Sequence, residues 1–525
     1  MRVRNLRSLL DSGTIRFAKI NVVVGKNSVG KSSLLRVLPL LRQSVEKPTK
    51  GPILWYGRFV DFGNYQNAVN SNNKVSGVQF EFQMTLQGSG RAARDSDANS
   101  FLLSGLDFAR FYKGLSRATV SLTVGTDEDD DVGKARHVCL DLGADKLEIT
   151  IEKTSFVRSI FLNGAPVDLS SGRRWMIQSG KILPIPILVK EETFEEGGTT
   201  RTYLTHEIRP FSERLIDAVA PLFHGNTSRD KIAEFAASLL YSNQNAFYDQ
   251  LKAHSASSTS YAYNLALYSP KDKFIARIRE AVLLSSLTSI FHRVDREMVD
   301  FASSVKYVEP IRATAERYYR LQDLAVDEID SRGENAAMFL NSLTSYEADN
   351  LKRWMIKHLG FFAEVGQGSG HVQVKIGTPS GGSKNIADLG FGYSQLLPII
   401  LQVWRSLVSR PYSMKRSESR PIIAIEQPEL HLHPQFQAQI ADVLAAVQGA
   451  RSQVEASIFI ETHSEHIINR LGQLVASGGI KSSDVQVLVV ESAGDGMAEV
   501  KSVSFDDQGF LGSGWPSGFF IPEVR

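Results

Sequence analysis

Ile20-Asn21-Val22-Val23-Val24-Gly25-Lys26-Asn27-Ser28-Val29-Gly30-Lys31-Ser32-Ser33 is the stretch that decides how the rest of the chain is read. The run Ile20 to Val24 is largely β-branched and predicts a buried strand. It passes directly into G-x-x-x-x-G-K-S at Gly25, Gly30, Lys31 and Ser32, and Ser33 to Leu41 then follows a helical pattern. Strand, glycine loop and helix in that order make a phosphate-binding loop. Its glycines, with Asn27 and Ser33 flanking the last of them, let the backbone curl so that N–H groups point inward, and the new helix adds its positive dipole end. Lys31 is placed to reach the β- and γ-phosphates of a nucleoside triphosphate, and the Ser32 hydroxyl to ligate Mg²⁺. ATP and Mg²⁺ are therefore the expected cofactors.

Outward from this loop, the 525 residues leave room for several domains, and 42% hydrophobic with 22% charged residues is ordinary globular composition. A net charge of +2 sets up no overall field for nucleic acid, so contact with DNA or a nucleic-acid complex would need a local patch. Arg91, Arg94, Arg110, Lys113 and Arg117 are basic residues that such a patch could use. Cys139 is the single cysteine, which excludes an internal disulfide and suits a reducing cytoplasm. No targeting segment and no apolar run of membrane-spanning length is visible, so a cytoplasmic location without membrane contact is expected.

Three blocks are expected along the chain. Residues 1–204 combine the phosphate loop with an antiparallel meander, signalled by alternation at Val78, Phe80, Phe82 and Met84 and by a hairpin turn at Asn163-Gly164. Two polar loops interrupt the meander, Gly88 to Ser100 and the acidic run Asp127 to Asp131, the latter a solvated hairpin tip. Residues 205–365 show helical spacing, as in Phe211, Leu215, Ile216 and Val219, and read as a mainly helical insertion. Within it Val305 to Val308 is a short strand ended by Pro310, expected to rejoin the main sheet. Residues 366–525 return to strand-then-helix alternation, with Pro421 to Ile425 and Ala456 to Ile460 as apolar runs of the kind buried on both faces of a parallel sheet.

Both of these runs end in candidate chemistry. Glu426-Gln427-Pro428-Glu429 follows the first, and Glu426 is placed to hold Mg²⁺ opposite Ser32. Glu461-Thr462-His463-Ser464 follows the second, where His463 could sense a γ-phosphate. Between them Gly390-Phe391-Gly392-Tyr393-Ser394-Gln395 opens a helical pattern and makes a second anion site, of most use closed over the nucleotide of a neighbouring subunit.

This ordered set resembles the ABC-type ATPases of the RecF, SMC and OLD group, and within it a branch of AAA family ATPases. The resemblance rests on the phosphate loop (Walker A), Val308-Glu309-Pro310-Ile311-Arg312, the Gly390–Gln395 signature, Glu426 to Pro434 (Walker B), the Glu461–Ser464 switch and the terminal Gly514 to Phe520. The branch includes ATPase subunits of two-gene anti-phage systems such as Septu, also in its retron-associated form, and PARIS. The resemblance implies a split ABC-type P-loop ATPase head of α/β class, with a mixed sheet, an antiparallel meander and a helical insertion. It implies a head-to-tail dimer or higher oligomer in which Gly390, Gly392, Ser394 and Gln395 of one chain close over the ATP held by Lys31 and Ser32 of another. Gln66 and Gln79 are both candidates for the glutamine that senses Mg²⁺ and water.

One departure matters. The family places a second carboxylate after the Mg²⁺ ligand as the base for water attack, and here that position is Gln427. An amide orients water but cannot take its proton, so slow hydrolysis is expected; the alternative is that Glu429 or Glu461 supplies the missing carboxylate instead. The leading expectation is a slow ATPase acting as the nucleotide-gated sensor of a defence complex with a separate effector, a nuclease. The competing one is a repair or chromosome-maintenance ATPase acting on DNA directly. Val487 to Glu491 resembles the opening strand of the nuclease domain found in OLD-type relatives, but no D-x-D pair follows it, so no nuclease is expected in this chain.

Overall fold

In a computed structural model the chain is described at residues 1–27, 29–73, 76–86, 117–126, 132–152, 156–169, 174–196, 199–207, 210–322, 326–368, 370–408, 420–448, 455–494, 497–512 and 514–515. Ser28, the whole Gly88–Ser100 loop with Arg91 and Arg94, the basic residues Arg110 and Lys113, the acidic run Asp127–Asp131, and Pro516 to Phe520 lie outside the described residues. The chain divides into two compact units. One holds Pro48–Ile53 and Val75–Val299; the other holds Arg2–Lys47, Leu54–Lys74 and Asp300–Arg525.

The second unit is built on the strand that the phosphate loop follows. Its strands lie in the order Val305–Val308, Ile422–Glu426, Ser457–Glu461, Ile20–Gly25 and Val485–Gly494, all parallel. Met497–Val503 then runs antiparallel to Val485–Gly494, followed by Leu9–Asp11 and Arg2–Leu6. The strand read at Val305 to Val308 thus joins the main sheet, beside Ile422–Glu426.

Ile20–Gly25, Ile422–Glu426 and Ser457–Glu461 are buried at every position, which is why their sequences run apolar without alternation. Each fully buried Val or Ile contributes about 1.5–3 kcal/mol of transfer free energy. Val22, Val24, Ile423, Ile425, Ile458 and Ile460 share one core with Leu396, Ile400 and Trp404 of the helix Phe391–Leu407. That helix is buried from Ser394 to Leu407, so its sequence is apolar on all sides rather than striped. A small antiparallel sheet, built on the Phe362–Gly368 and His371–Gly377 hairpin, completes this unit.

The first unit carries the antiparallel meander Val78–Met84, Ala118–Gly125, Lys134–Asp141, Lys146–Ile151, Val157–Leu162 and Ala165–Pro166. The turn at Asn163-Gly164 closes its last hairpin. A three-stranded sheet, Arg174–Gln178, Ile185–Glu196 and Thr199–Glu207, follows. Helices Ser212–Val219, Arg229–Ser238, Gln244–Ala253, Thr259–Ala266 and Lys273–Ser285 belong to the same unit. One buried carboxylate ties the last of these helices to the meander. Asp145 accepts from Arg279 Nε at 2.8 Å and Nη2 at 3.0 Å, from Tyr241 Oη at 2.8 Å and from Asn163 Nδ2 at 3.0 Å. These donors keep its carboxyl below the usual carboxylate range even though burial works the other way.

Candidate nucleotide site

The phosphate loop leaves the sheet at Gly25, where any side chain would run into the Val490 carbonyl oxygen of the adjacent strand. At Gly30 the backbone has φ 108°, and a Cβ would lie 2.5 Å from Ser8 Oγ. Glycine is required at both positions for these local reasons. The loop is closed by its own lysine. Lys31, only 4% exposed, donates from Nζ to the Lys26 carbonyl at 2.5 Å, and burial pushes its pKa down while the Glu461 carboxylate opposes the shift. Asn27 is exposed on the loop, and Ser33 is buried in the helix Lys31–Leu35.

Two acidic strand ends meet this loop. Glu426 and Glu461 are register partners on adjacent parallel strands, and Glu461 also pairs with Val23 of the loop strand. Ser32 Oγ donates to Glu461 Oε1 at 2.8 Å. Glu426 instead accepts a two-pronged pair from Arg36, Nε to Oε1 and Nη2 to Oε2, both at 2.8 Å, and a third bond from Tyr307 Oη at 2.7 Å. Ser32 and Glu426, expected as a pair, are therefore each bonded elsewhere. Arg36 lies one helical turn beyond Ser32, and Glu426 holds its pKa above the ordinary guanidinium value.

Glu461 is 2% exposed, and among the described residues its Oε2 has no hydrogen-bond partner. Burial first, and the neighbouring Glu426 second, push its carboxyl up to about 7 against the pull of Ser32, Lys31 and Arg36. Gln427 sits at φ 39° and donates its backbone N–H to the Glu461 carbonyl at 2.8 Å. Glu429 accepts from Thr462 Oγ1 at 2.8 Å and from the His463 N–H at 2.7 Å, which pins the switch segment; burial pushes its carboxyl pKa up. His463 is half-buried, and burial, then the positive charge of Lys31, lowers its pKa. The imidazole is thus neutral near pH 7 and within electrostatic reach of the phosphate-loop lysine.

The helix Phe391–Leu407 starts at Gly390 without a side-chain cap. Ser394 Oγ donates to the Phe391 carbonyl at 2.7 Å, and Gln395 Nε2 donates to the Arg312 carbonyl at 3.3 Å. Gly392 lies beside His431 and Leu432, and a Cβ there would make only ordinary contacts of 3.6 Å. Arg312 links this helix to the acidic strand end, because its Nη2 donates to the Glu426 carbonyl at 2.8 Å. It is 2% exposed, its Nε and Nη1 have no partner among the described residues, and burial pushes its pKa down to about 10. Of the two glutamine candidates, Gln79 donates to Ser121 Oγ at 2.6 Å inside the meander, while Gln66 lies on the short helix Tyr65–Ala68.

Arg36, Tyr307 and the Ser32–Glu461 contact were missed by sequence reasoning. Arg36 carried a faint signal, as a cation inside an otherwise apolar helical run. A glycine-lined loop, a buried lysine at its mouth and a serine hydroxyl beside a buried carboxylate fit a nucleoside triphosphate with a divalent cation. The orphaned Glu461 Oε2 is the observation that fits the cation specifically.

The parallel sheet with its phosphate loop and acidic strand ends defines a mixed α/β fold of the P-loop ATPase kind. A family profile described as AAA ATPase domain matches residues 221–468. Among solved structures, an Smc head bound to the C-terminal winged-helix domain of ScpA is 11% identical at a TM-score of 0.32, covering 96% of this chain and 97% of that one. The SMC head domain from Thermotoga maritima is 9% identical at 0.31, covering 95% and 96%. An Smc head with coiled coil and joint from Pyrococcus yayanosii is 10% identical at 0.29, covering 97% and 96%. No curated protein matches the chain. Among the described residues no helix is long and apolar enough to cross a membrane.

Proposed function

We propose that this chain is an ABC-type ATPase that binds ATP with Mg²⁺, hydrolyses it slowly, and acts as the nucleotide-gated sensor of an anti-phage complex whose effector, a nuclease, is a separate polypeptide. The observation that carries the nucleotide reading is the Ser32 hydroxyl, bonded to a buried strand-end carboxylate at the head of a glycine loop. When bound, Mg²⁺ would offset charge on the β- and γ-phosphates. Lys31 would leave the Lys26 carbonyl for the phosphate oxygens, and the loop N–H groups would orient them. The neutral His463 would accept or donate a hydrogen bond at the γ-position. Gln427 would orient water without removing its proton, which supports a slow step.

Gly392 and Ser394 support closure by a second copy. Among the described residues a Cβ at Gly392 would make only ordinary contacts, which leaves room at that helix end for a second copy. Gly390 and Gln395 would set the same helix end, with two heads meeting head to tail.

Turnover of the purified chain tests the enzymatic part: below about 1 s⁻¹ is expected, and tens per second would refute the slow switch. Native purification with mass measurement tests the role. A co-purifying nuclease supports defence; binding to DNA alone that falls steeply with salt supports the repair or maintenance reading instead.

A further inference from the structure

Resting on the nucleotide reading above, we infer that Glu461, and not Glu426, is the carboxylate that serves the cation held at Ser32, while Glu426 is a permanent structural brace. The two side chains end adjacent parallel strands at matched register and are equally buried, so position alone does not separate them. Their partners do. Glu426 receives three hydrogen bonds from two elements: both arms of Arg36 on the helical stretch after the loop, and the Tyr307 hydroxyl on the neighbouring strand. Its backbone carbonyl is also taken, by Arg312. Turning Glu426 toward a cation would strip a two-pronged ion pair and leave Arg36 and Tyr307 without their acceptor.

Glu461 has the opposite character. Among the described residues its one side-chain donor is Ser32, the group expected to ligate the cation, and its buried Oε2 has no partner. A buried carboxylate oxygen without a donor is costly, and a divalent cation beside Ser32 would satisfy it. The backbone around Glu461 is fixed on both sides, by pairing with Val23 on the loop strand and by the Gln427 N–H on its carbonyl. The carboxylate is thus presented to the loop by the sheet itself, without any reorganisation.

The test is Mn²⁺ titration followed by electron paramagnetic resonance, with a non-hydrolysable ATP analogue, on the full chain and on Glu461→Gln and Glu426→Gln. Glu461→Gln is expected to bind the analogue in EDTA as the parent does, to melt at the same temperature or higher, and to bind Mn²⁺ at least tenfold more weakly. Glu426→Gln is expected to melt lower while keeping its Mn²⁺ affinity within about twofold in the cold, folded protein. Unchanged Mn²⁺ affinity in Glu461→Gln, with nucleotide binding intact, overturns the inference alone. Failure of the parent chain to bind the analogue at all overturns the nucleotide reading, and this inference with it.

Discussion

Replacing Arg36 with Met isolates the brace on Glu426. The side chain is 31% exposed and its partner only 2%, so the loss falls on the carboxylate, left with one neutral donor beside a second buried acid. Removing one partner of a buried ion pair costs about 3–5 kcal/mol, and the partial exposure of Arg36 argues for the lower end, about 3 kcal/mol. The unit concerned contains roughly 300 residues, which implies an unfolding entropy of ~0.6 kcal/mol per kelvin and a fall in Tm of about 5 °C. Tryptophan fluorescence is suited to the measurement, because Trp55, Trp354, Trp404 and Trp515 lie in this unit and Trp175 in the other. In the double variant Arg36→Met with Glu426→Gln, the amide no longer carries an orphaned charge and can still accept from Tyr307. Most of the lost stability is expected to return. A single-variant loss under about 1 kcal/mol, or a double variant no better than the single, would refute the reasoning.

Three further outcomes follow from other contacts. Gln427→Glu restores a proton acceptor beside the strand end and should raise the ATP turnover number at least tenfold; an unchanged rate in phosphate-release assays would remove the amide as the limiting group. Asp145→Asn leaves Arg279 buried without its counter-charge and should cost the meander unit about 3 kcal/mol, read from the Trp175 transition. Asp11 is held at about 2, against an ordinary 3.8, chiefly by its hydrogen bond from Arg2. Its stabilising contribution is complete above pH 3.8 and disappears as the pH falls through 2. With the carboxylate 35% exposed, the effect is about 1 kcal/mol, and Asp11→Asn should flatten that part of an acid titration of stability.

The buried parallel strands and the phosphate loop were legible because both are local. An unbroken apolar run states double-sided burial, and glycine spacing states a curled backbone. Alternation likewise announced the meander. Strand order is not local. Nothing in the composition of Ser457–Glu461 says that it lies between Ile422–Glu426 and Ile20–Gly25, yet that order alone brings Glu461 to Ser32, 429 residues away in sequence. The Arg36–Glu426 pair, separated by 390 residues, was hidden for the same reason. Asp145 with Arg279 repeats the lesson in the other unit: Ile275, Ile278 and Val282 are buried at helical spacing, but such spacing does not say that the arginine beside them reaches a loop of the meander.

Arg312 grips two elements at once, the carbonyl at the end of the acidic strand through its side chain and the Phe391–Leu407 helix through its main chain. A linkage of that kind behaves like a tie rod. Close-packed interiors transmit small displacements instead of absorbing them, so a tug on the strand terminus is delivered to the mouth of the helix with little slack. Two elements that lie far apart along the chain are in this way bridged through a single residue.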